Sequence, residues 1–277
     1  MKDVLISREE MRALHPVFRG KRGDKIIDLS MKISGLDIAN KIYDRSKHLT
    51  GPAFCKDVLD KLEITRTVRN AEVLDTFKNR PFITVSNHPY GHIDGIAAIE
   101  TVGSRVRYYK MMVNVVLGLV DTMAENFITV NPMMYAEKSS ITFAGIKESF
   151  DHVRAGFPLG FFSAGAVSNL VFRRGRITVE DRKWQQAVIK IIQKVHVPVI
   201  PMHISGRNSL PFYMSKIFGY KFRTLRLCHE LYNKKGKEIV VTFGEPVMPD
   251  KIASFEDDMP RLGQYLKEKT YALGGSK

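Results

Sequence analysis

The apolar positions of the chain change period once, near Leu62. Up to that point they recur at helical spacing, which predicts helices over residues 25–32, 36–47 and, after the Gly51-Pro52 break, 54–62. Ser7 and Glu10 are spaced as a capping box and predict a short helix near the start. Beyond Leu62, short β-rich runs alternate with helical stretches. Strands are expected at 82–86, 106–113, 127–130, 158–162 and 197–204, the last ending or bulging early at its prolines, Pro198 and Pro201. Helices are expected at 95–101 and 115–123, from Ser139 or Ser140 to about residue 154, at 180–195, and from Ser254 or Glu256 to about residue 273. Segments 225–232 and 238–243, on either side of the sequence NKKGK, read as a hairpin.

Alternation of this kind implies an α/β fold, an αβα sandwich with a mostly parallel or mixed central sheet flanked by helices. The expected organisation is an N-terminal helical segment, 1–62, packed on an α/β domain, 63–277. With 277 residues, 44% hydrophobic and 26% charged, the chain can bury a substantial core, which excludes disordered, collagen-like and coiled-coil classes. Its two cysteines, Cys55 and Cys228, cannot form a disulfide framework or a Cys-rich zinc site and read as buried thiols in a reducing compartment. The opening residues lack the apolar stretch of a signal peptide. The most apolar window, 111–123, is broken by Asn114 and Asp121 and falls short of the ~20 residues a membrane span needs. The expected location is therefore cytoplasmic or on a membrane surface.

Charge changes the picture further. Lys and Arg number 43 against 29 Asp and Glu, a net charge of +14. Between Ala166 and Lys237 there are 15 basic residues, opposed only by Glu180, Asp181 and Glu230. A stretch of this sign attracts nucleic acid, anionic headgroups or an acidic protein; the plainer alternative is a solvated face on a basic protein.

The chemistry concentrates in S-N-H-P-Y-G-H-I-D-G, Ser86 to Gly95. This segment sits where a strand ends and a helix begins, the edge at which open α/β sheets place their ligands. Pro89 and Gly91 force a tight turn that can fold Asp94 back onto His88. The carboxylate would then hold one imidazole nitrogen and leave the other as a base. No nucleophilic Ser or Cys stands beside the pair, which suits direct attack by an acceptor hydroxyl or amine on an activated acyl group. Two alternatives remain open: His88, His92 and Asp94 as metal ligands, or histidines that merely cap a turn. His152, His196, His203 and His229 are too scattered to complete a metal site.

At these residues the chain resembles the lysophospholipid acyltransferase superfamily, whose signature is Asn-His followed by Asp at a helix start. That signature has four residues between His and Asp, and here there are five. N-H-P-x-G-x-x-D-G is similar to the hemolysin-like branch, which includes the N-acyltransferases of ornithine and glycine lipids. The branch's third block, Phe-Pro-Ala-Gly-Glu-Val-Ser, is matched at Gly165, Val167 and Ser168, with Ser163 in place of Pro and Ala166 in place of the acid. Its fourth, Gly-Arg-Asn-Ser, is matched at Gly206 to Ser209. The substrate-binding Arg that ends the wider family's second block is replaced by Asn131.

The resemblance implies catalytic roles for His88 and Asp94. It implies substrate-binding roles for Asn87, Gly91, Gly165, Val167, Ser168 and Arg207, with backbone N–H groups between Gly165 and Ser168 facing an oxyanion. No bound cofactor or metal is implied. The donor would be a fatty acyl thioester on acyl carrier protein or coenzyme A, and the acceptor an amino acid, a lysolipid or a glycerol phosphate. Loss of the Arg at Asn131 disfavours the phosphate-bearing acceptor, because phosphate is best held by a bidentate guanidinium. Expected partners are an anionic membrane surface and acyl carrier protein, not nucleic acid. The expected place is the inner face of the cell membrane. Two rivals stand beside this reading: a metal-dependent hydrolase using His88, His92 and Asp94, and a basic membrane- or nucleic-acid-binding protein without activity. Among other residues, Met111, Met112, Met133 and Met134 suit an acyl tunnel or plain core, and Trp184 a membrane interface or a sheet cover. Phe212, Tyr213, Phe218, Tyr220 and Phe222 among basic residues are similar to a nucleic-acid face, but no RNA-binding signature accompanies them.

Overall fold

The computed structural model describes residues 2–14, 16–131, 140–173, 175–219, 223 and 226–275. The chain begins with four helices, α1 (Arg8–Leu14), α2 (Gly20–Ser34), α3 (Leu36–Ser46) and α4 (Gly51–Lys61). The capping box is realised at α1. Ser7 N–H donates to Glu10 Oε2 at 2.8 Å, and Glu10 N–H donates to Ser7 Oγ at 3.1 Å. The first three helices share a small core of Met11, Ile27, Leu36 and Ala39. By contrast α4 sends Phe54, Cys55, Val58 and Leu59 into the main core beneath the sheet.

There follow β1 (Thr65–Arg69), β2 (Ile83–Ser86), α5 (His92–Gly103), β3 (Lys110–Asn114), β4 (Phe127–Val130), α6 (Ser140–Arg154) and β5 (Leu159–Phe162). The remainder comprises β6 (Asn169–Arg173), β7 (Arg176–Glu180), α7 (Gln186–Val195), β8 (Val199–Ile204), α8 (Leu210–Met214), α9 (Leu227–Tyr232), β9 (Glu238–Phe243), α10 (Pro249–Ala253) and α11 (Met259–Ala272). Seven strands form the main sheet in the order β1-β9-β8-β2-β5-β3-β4. The five from β8 to β4 are mutually parallel. β9 runs antiparallel to β8, with β1 parallel to β9. Helices α4 and α5 cover one face and α6, α7 and α11 the other, which makes the expected αβα sandwich with a mostly parallel sheet. β2 is central and buried along its whole length, as a strand covered on both faces must be. It therefore delivers Asn87 and His88 to the middle of the sheet's carboxyl edge.

Several local expectations are corrected. The hairpin read at 225–232 does not exist: α9 is helical, with Leu227 and Leu231 one turn apart, and β9 pairs with β1 and β8 instead. The helix expected at 115–123 is two 3₁₀ turns, Val115–Leu119 and Asp121–Asn126, since Gly118 and a β-branched run weaken an α-helix there. The strand expected from residue 106 begins at Lys110, after Tyr108 turns the chain at φ 58°. The helix expected from residue 180 begins at Gln186, because Glu180 ends β7. β8 does not stop at Pro201, which pairs in register with Val85 on the β2 side. Antiparallel pairing to β9 starts only at Met202, so the missing proline N–H interrupts no ladder bond. β1 and the separate β6–β7 ribbon were not expected.

Candidate active site

The site lies at the carboxyl ends of three adjacent parallel strands, β8, β2 and β5. After Ser86 the chain turns through His88-Pro89-Tyr90-Gly91 and enters α5 at His92. Gly91 makes that turn possible. Its φ of 99° is disfavoured for any side chain, and a Cβ there would come within 2.8 Å of Leu227 and 3.2 Å of Val167. Asp94, fully buried, reaches back across the turn. Its Oδ2 accepts the N–H groups of Tyr90 and Gly91, both at 2.8 Å, and also lies 2.8 Å from His88 Nδ1. The histidine contact is short but bent from hydrogen-bond alignment, as catalytic contacts often are before substrate binds. The His88 ring stacks on Phe162, with centroids 4.1 Å apart and planes 16° from parallel. Nδ1 thus faces the carboxylate, and Nε2 is the nitrogen left for chemistry. His92, one turn from the pair, is held neutral near pH 7, since burial and the neighbouring His88 push its imidazole down to about 4. Among the described residues no three His, Cys, Asp or Glu side chains converge as metal ligands.

The loop after β5, Ser163 to Ser168, folds over this turn. Gly165 N–H donates to Phe162 O, and Ser168 N–H donates to His88 O, both at 2.8 Å. The N–H groups of Ala166 and Val167, between them, have no acceptor among the described residues. Gly165 sits at φ 60°, with Gln185 packed where a Cβ would stand. Ser168 Oγ donates to Asp181 Oδ1 at 2.5 Å. Val167 packs on Gly91, so this block and the first meet as the motif order requires.

Asn87 has a different position. Its side-chain amide donates to Ile204 O and its Oδ1 accepts from Ile204 N–H, both at 2.8 Å. It clamps β2 to β8 below the surface. The fourth block is held against the same turn: Asn208 Nδ2 donates to Tyr90 O at 3.0 Å, and the Tyr90 hydroxyl fills the space where a Cβ on Gly206 would stand. Arg207 therefore emerges beside the turn, exposed, with no hydrogen bond or ion pair to its side chain among the described residues.

Several residues that organise the site carry no motif. Asp181, 4% exposed, accepts the His88 N–H at 3.3 Å, the Ser168 hydroxyl and the Trp184 indole N–H at 3.1 Å. Its backbone is tied to α11 by Tyr271 and Lys267, each at 2.7 Å. Burial raises the Asp181 carboxyl above its ordinary range despite these bonds. Arg182 donates to Ala164 O at 2.8 Å and Gly165 O at 3.3 Å. Glu230, 1% exposed, accepts the Ser209 N–H at 2.9 Å and Lys234 Nζ at 2.7 Å, and so fixes the fourth block from behind. Burial drives the Glu230 carboxyl upward, but these partners outweigh it and leave its pKa lowered. The signal in the sequence was sign: Asp181 and Glu230 are two of the three acids in the basic stretch. Trp184 is buried and bonded to Asp181, not at an interface. Met111, Met112, Phe212 and Tyr213 are buried. Met133, Met134, Tyr220 and Phe222 lie outside the described residues, as does the side chain of Phe218.

A family model described as acyltransferase matches residues 26–277. Two curated relatives carry the name lyso-glycine lipid O-acyltransferase. The protein of Bacteroides thetaiotaomicron is 29% identical over 263 residues, covering 90% of this chain and 89% of its own. The protein of Phocaeicola vulgatus is 27% identical over 251 residues, covering 86% and 83%. A solved structure, the 1-acyl-sn-glycerophosphate acyltransferase PlsC from Thermotoga maritima, aligns with 98% of this chain and 99% of its own, at 16% identity and a TM-score of 0.47. With a match running over nearly the whole α/β domain and the His88–Asp94 pair at its carboxyl edge, the chain belongs to the acyltransferase family, in the lysophospholipid acyltransferase superfamily, and is an acyltransferase of lipid biosynthesis.

Proposed function

We propose that the protein transfers a fatty acyl group from an acyl thioester to a free hydroxyl of a mono-acylated lipid at an anionic membrane surface, with His88 as general base. The observation that carries this reading is the buried Asp94 at His88 Nδ1, which leaves Nε2 for chemistry, with the nearby Ser168 hydroxyl committed to Asp181. Nε2 takes the proton of the acceptor hydroxyl as its oxygen attacks the thioester carbonyl. The developing oxyanion is met by the N–H groups of Ala166 and Val167, because those of Gly165 and Ser168 are already engaged. Collapse breaks the C–S bond, and the leaving thiolate recovers the proton from His88. Asp94 keeps Nδ1 protonated and favours the transient imidazolium. The names of the two relatives favour a lysolipid hydroxyl over an amino-acid amine. Arg207, exposed, is placed to meet an anionic group on acceptor or donor.

The donor proposed is acyl carrier protein, a small acidic protein that a basic surface recruits more strongly than coenzyme A. The test supplies purified protein with a lysolipid and either thioester, and follows the diacyl product by mass. Product formation with both donors, faster with the carrier protein and converging as salt rises, is the expected result. Absence of product with either donor overturns the reading, and equal rates at low salt overturn the donor assignment alone.

A further inference from the structure

The β6–β7 ribbon stands apart from the main sheet and joins only its own two strands. Its register places Leu170 opposite Val179 and Phe172 opposite Ile177, with Val171 opposite Thr178 and Asn169 opposite Glu180. Alternation then sorts the side chains by face. One face is wholly apolar, Leu170, Phe172, Ile177 and Val179; the other carries Asn169, Val171, Arg176, Thr178 and Glu180. At the base Leu170 and Val179 are half-buried, but toward the tip Phe172 is 74% and Ile177 65% exposed. A two-stranded ribbon is marginal by itself and needs its apolar face covered. Arg176, exposed, opens β7 at the tip end of the ribbon, and Glu180 lies at the far end.

A second exposed apolar stripe runs along α8. Leu210, Met214 and Ile217 are exposed at helical spacing along α8 and the 3₁₀ turn after it, while Phe212 and Tyr213 between them are buried. The flanking charges, Arg207 and Lys216, are again basic. Arg223 ties the two elements together. Its guanidinium donates to Asn169 Oδ1, to Ser168 O at 2.9 Å and to Val167 O at 3.3 Å, and lies 4.7 Å over the Phe212 ring. The ribbon begins at Asn169, next to the Ser168 whose N–H holds His88 O.

We infer that the apolar face of the β6–β7 ribbon, with the stripe on α8, inserts into the headgroup boundary of an anionic bilayer and seats the site on the membrane. Apolar side chains backed by cations and opposed by almost no acid match the chemistry of such a surface. Among the described residues no helix is long and apolar enough to cross a membrane, so contact of this kind is a means of reaching a lipid acceptor. The inference deepens the proposed function, and it rests on that reading for the acceptor.

The experiment uses the full chain and vesicles of phosphatidylcholine with and without phosphatidylglycerol. The wild type is compared with Phe172→Thr/Ile177→Thr and with Leu210→Ser/Met214→Ser. Thr keeps strand propensity, and all four positions are exposed, so the fold is retained. Expected is at least a tenfold weaker partition of the ribbon variant to anionic vesicles, given the apolar area withdrawn. Turnover of a short-chain, water-soluble lysolipid should be unchanged while turnover of vesicle-borne acceptor falls. Vesicle binding equal to wild type overturns the inference, whatever the enzyme acylates. So does a selective loss of acyl carrier protein turnover, or a change of oligomeric state by sedimentation, with vesicle binding intact. If no acceptor is acylated, the vesicle arm still decides the inference while the proposed function fails by itself.

Discussion

β2 and β5 are neighbours that end at the same edge, yet the segments that follow them are built in opposite ways. After β2 there is no Lys or Arg before Arg105, and a single buried carboxylate gathers two backbone N–H groups and an imidazole within one turn. After β5 the chain pins a short loop over that turn, then leaves as a ribbon whose Phe172, Arg176 and Ile177 are exposed. The first segment is internally satisfied and shielded; the second is satisfied at its base and open at its end. On the proposed function, the chemistry would need only local bonds around His88, whereas meeting a lipid and an acidic carrier would fall to surface that folding has left uncovered. The two halves are joined chiefly by Ser168 and Asp181, which bond to the His88 backbone from the β5 side.

His88→Ala is the sharpest way to break that contrast. If the imidazole acts only in chemistry, turnover falls by roughly 10²–10⁴-fold while the melting temperature stays close to wild type, because the ring is partly exposed and its only close polar contact among the described residues, Asp94, is poorly aligned. A variant that keeps its turnover removes general-base catalysis from the site. Asp94→Asn separates the roles further. Turnover should fall nearly as far, but here stability falls too, by about 1–3 kcal/mol, because the amide oxygen can keep both backbone N–H groups only by leaving its Nδ2 donor buried and unsatisfied where Oδ1 now stands without a partner. Calorimetry on the two variants together is the check. Equal melting temperatures would show that Asp94 is not the organiser of the turn.

How far this was readable beforehand follows the same division. The turn after β2 was legible because its chemistry is encoded within nine residues, where a Gly in an unusual conformation and an Asp at a helix start leave few geometries. The parallel core was legible from apolar runs such as 82–86 and 158–162, which are buried on both faces. β1 was not, since its sequence, Thr-Arg-Thr-Val-Arg, is that of an edge strand with exposed Val68. The ribbon's alternation of Leu170, Phe172, Ile177 and Val179 was present in the sequence, but its arginines drew the reading toward net charge. Asn87, read as a substrate contact, bonds instead between strands; a sequence shows that an amide is present but not which backbone lies across from it. Asp181 and Glu230 act over 93 and 21 residues of separation, beyond the reach of any local pattern.

Arg207→Ala tests the open side at a smaller scale. The side chain is exposed, so its loss should leave folding alone and raise KM about tenfold for an anionic partner, with kcat nearly unchanged, in keeping with about 1.4 kcal/mol of binding. A fall in kcat at constant KM would place Arg207 in the chemical step instead. Steady-state kinetics with acceptor and donor varied in turn identifies which of the two it meets.

Asp181→Asn should have the smallest effect and is the most direct probe of the joint between the two segments. Asn retains one acceptor oxygen, so either the Ser168 or the Trp184 bond survives, and turnover should drop less than in the Asp94 variant. The pH dependence carries the sharper signal. Burial raises the Asp181 carboxyl above its ordinary value of 3.8. Between that value and the raised one, the folded chain holds a proton that the unfolded chain has released, so wild-type stability declines as pH rises through this window. Above the window the charged, buried carboxylate keeps its full desolvation cost. Asn carries no such cost, so the variant's melting temperature relative to wild type should improve as pH rises from about 4 toward 7. The gap should then stay constant once Asp181 is ionised in the folded protein. Melting curves that run parallel over the whole range would mean that Asp181 is no more difficult to ionise folded than unfolded, and that Ser168, Trp184 and the His88 N–H fully compensate its burial.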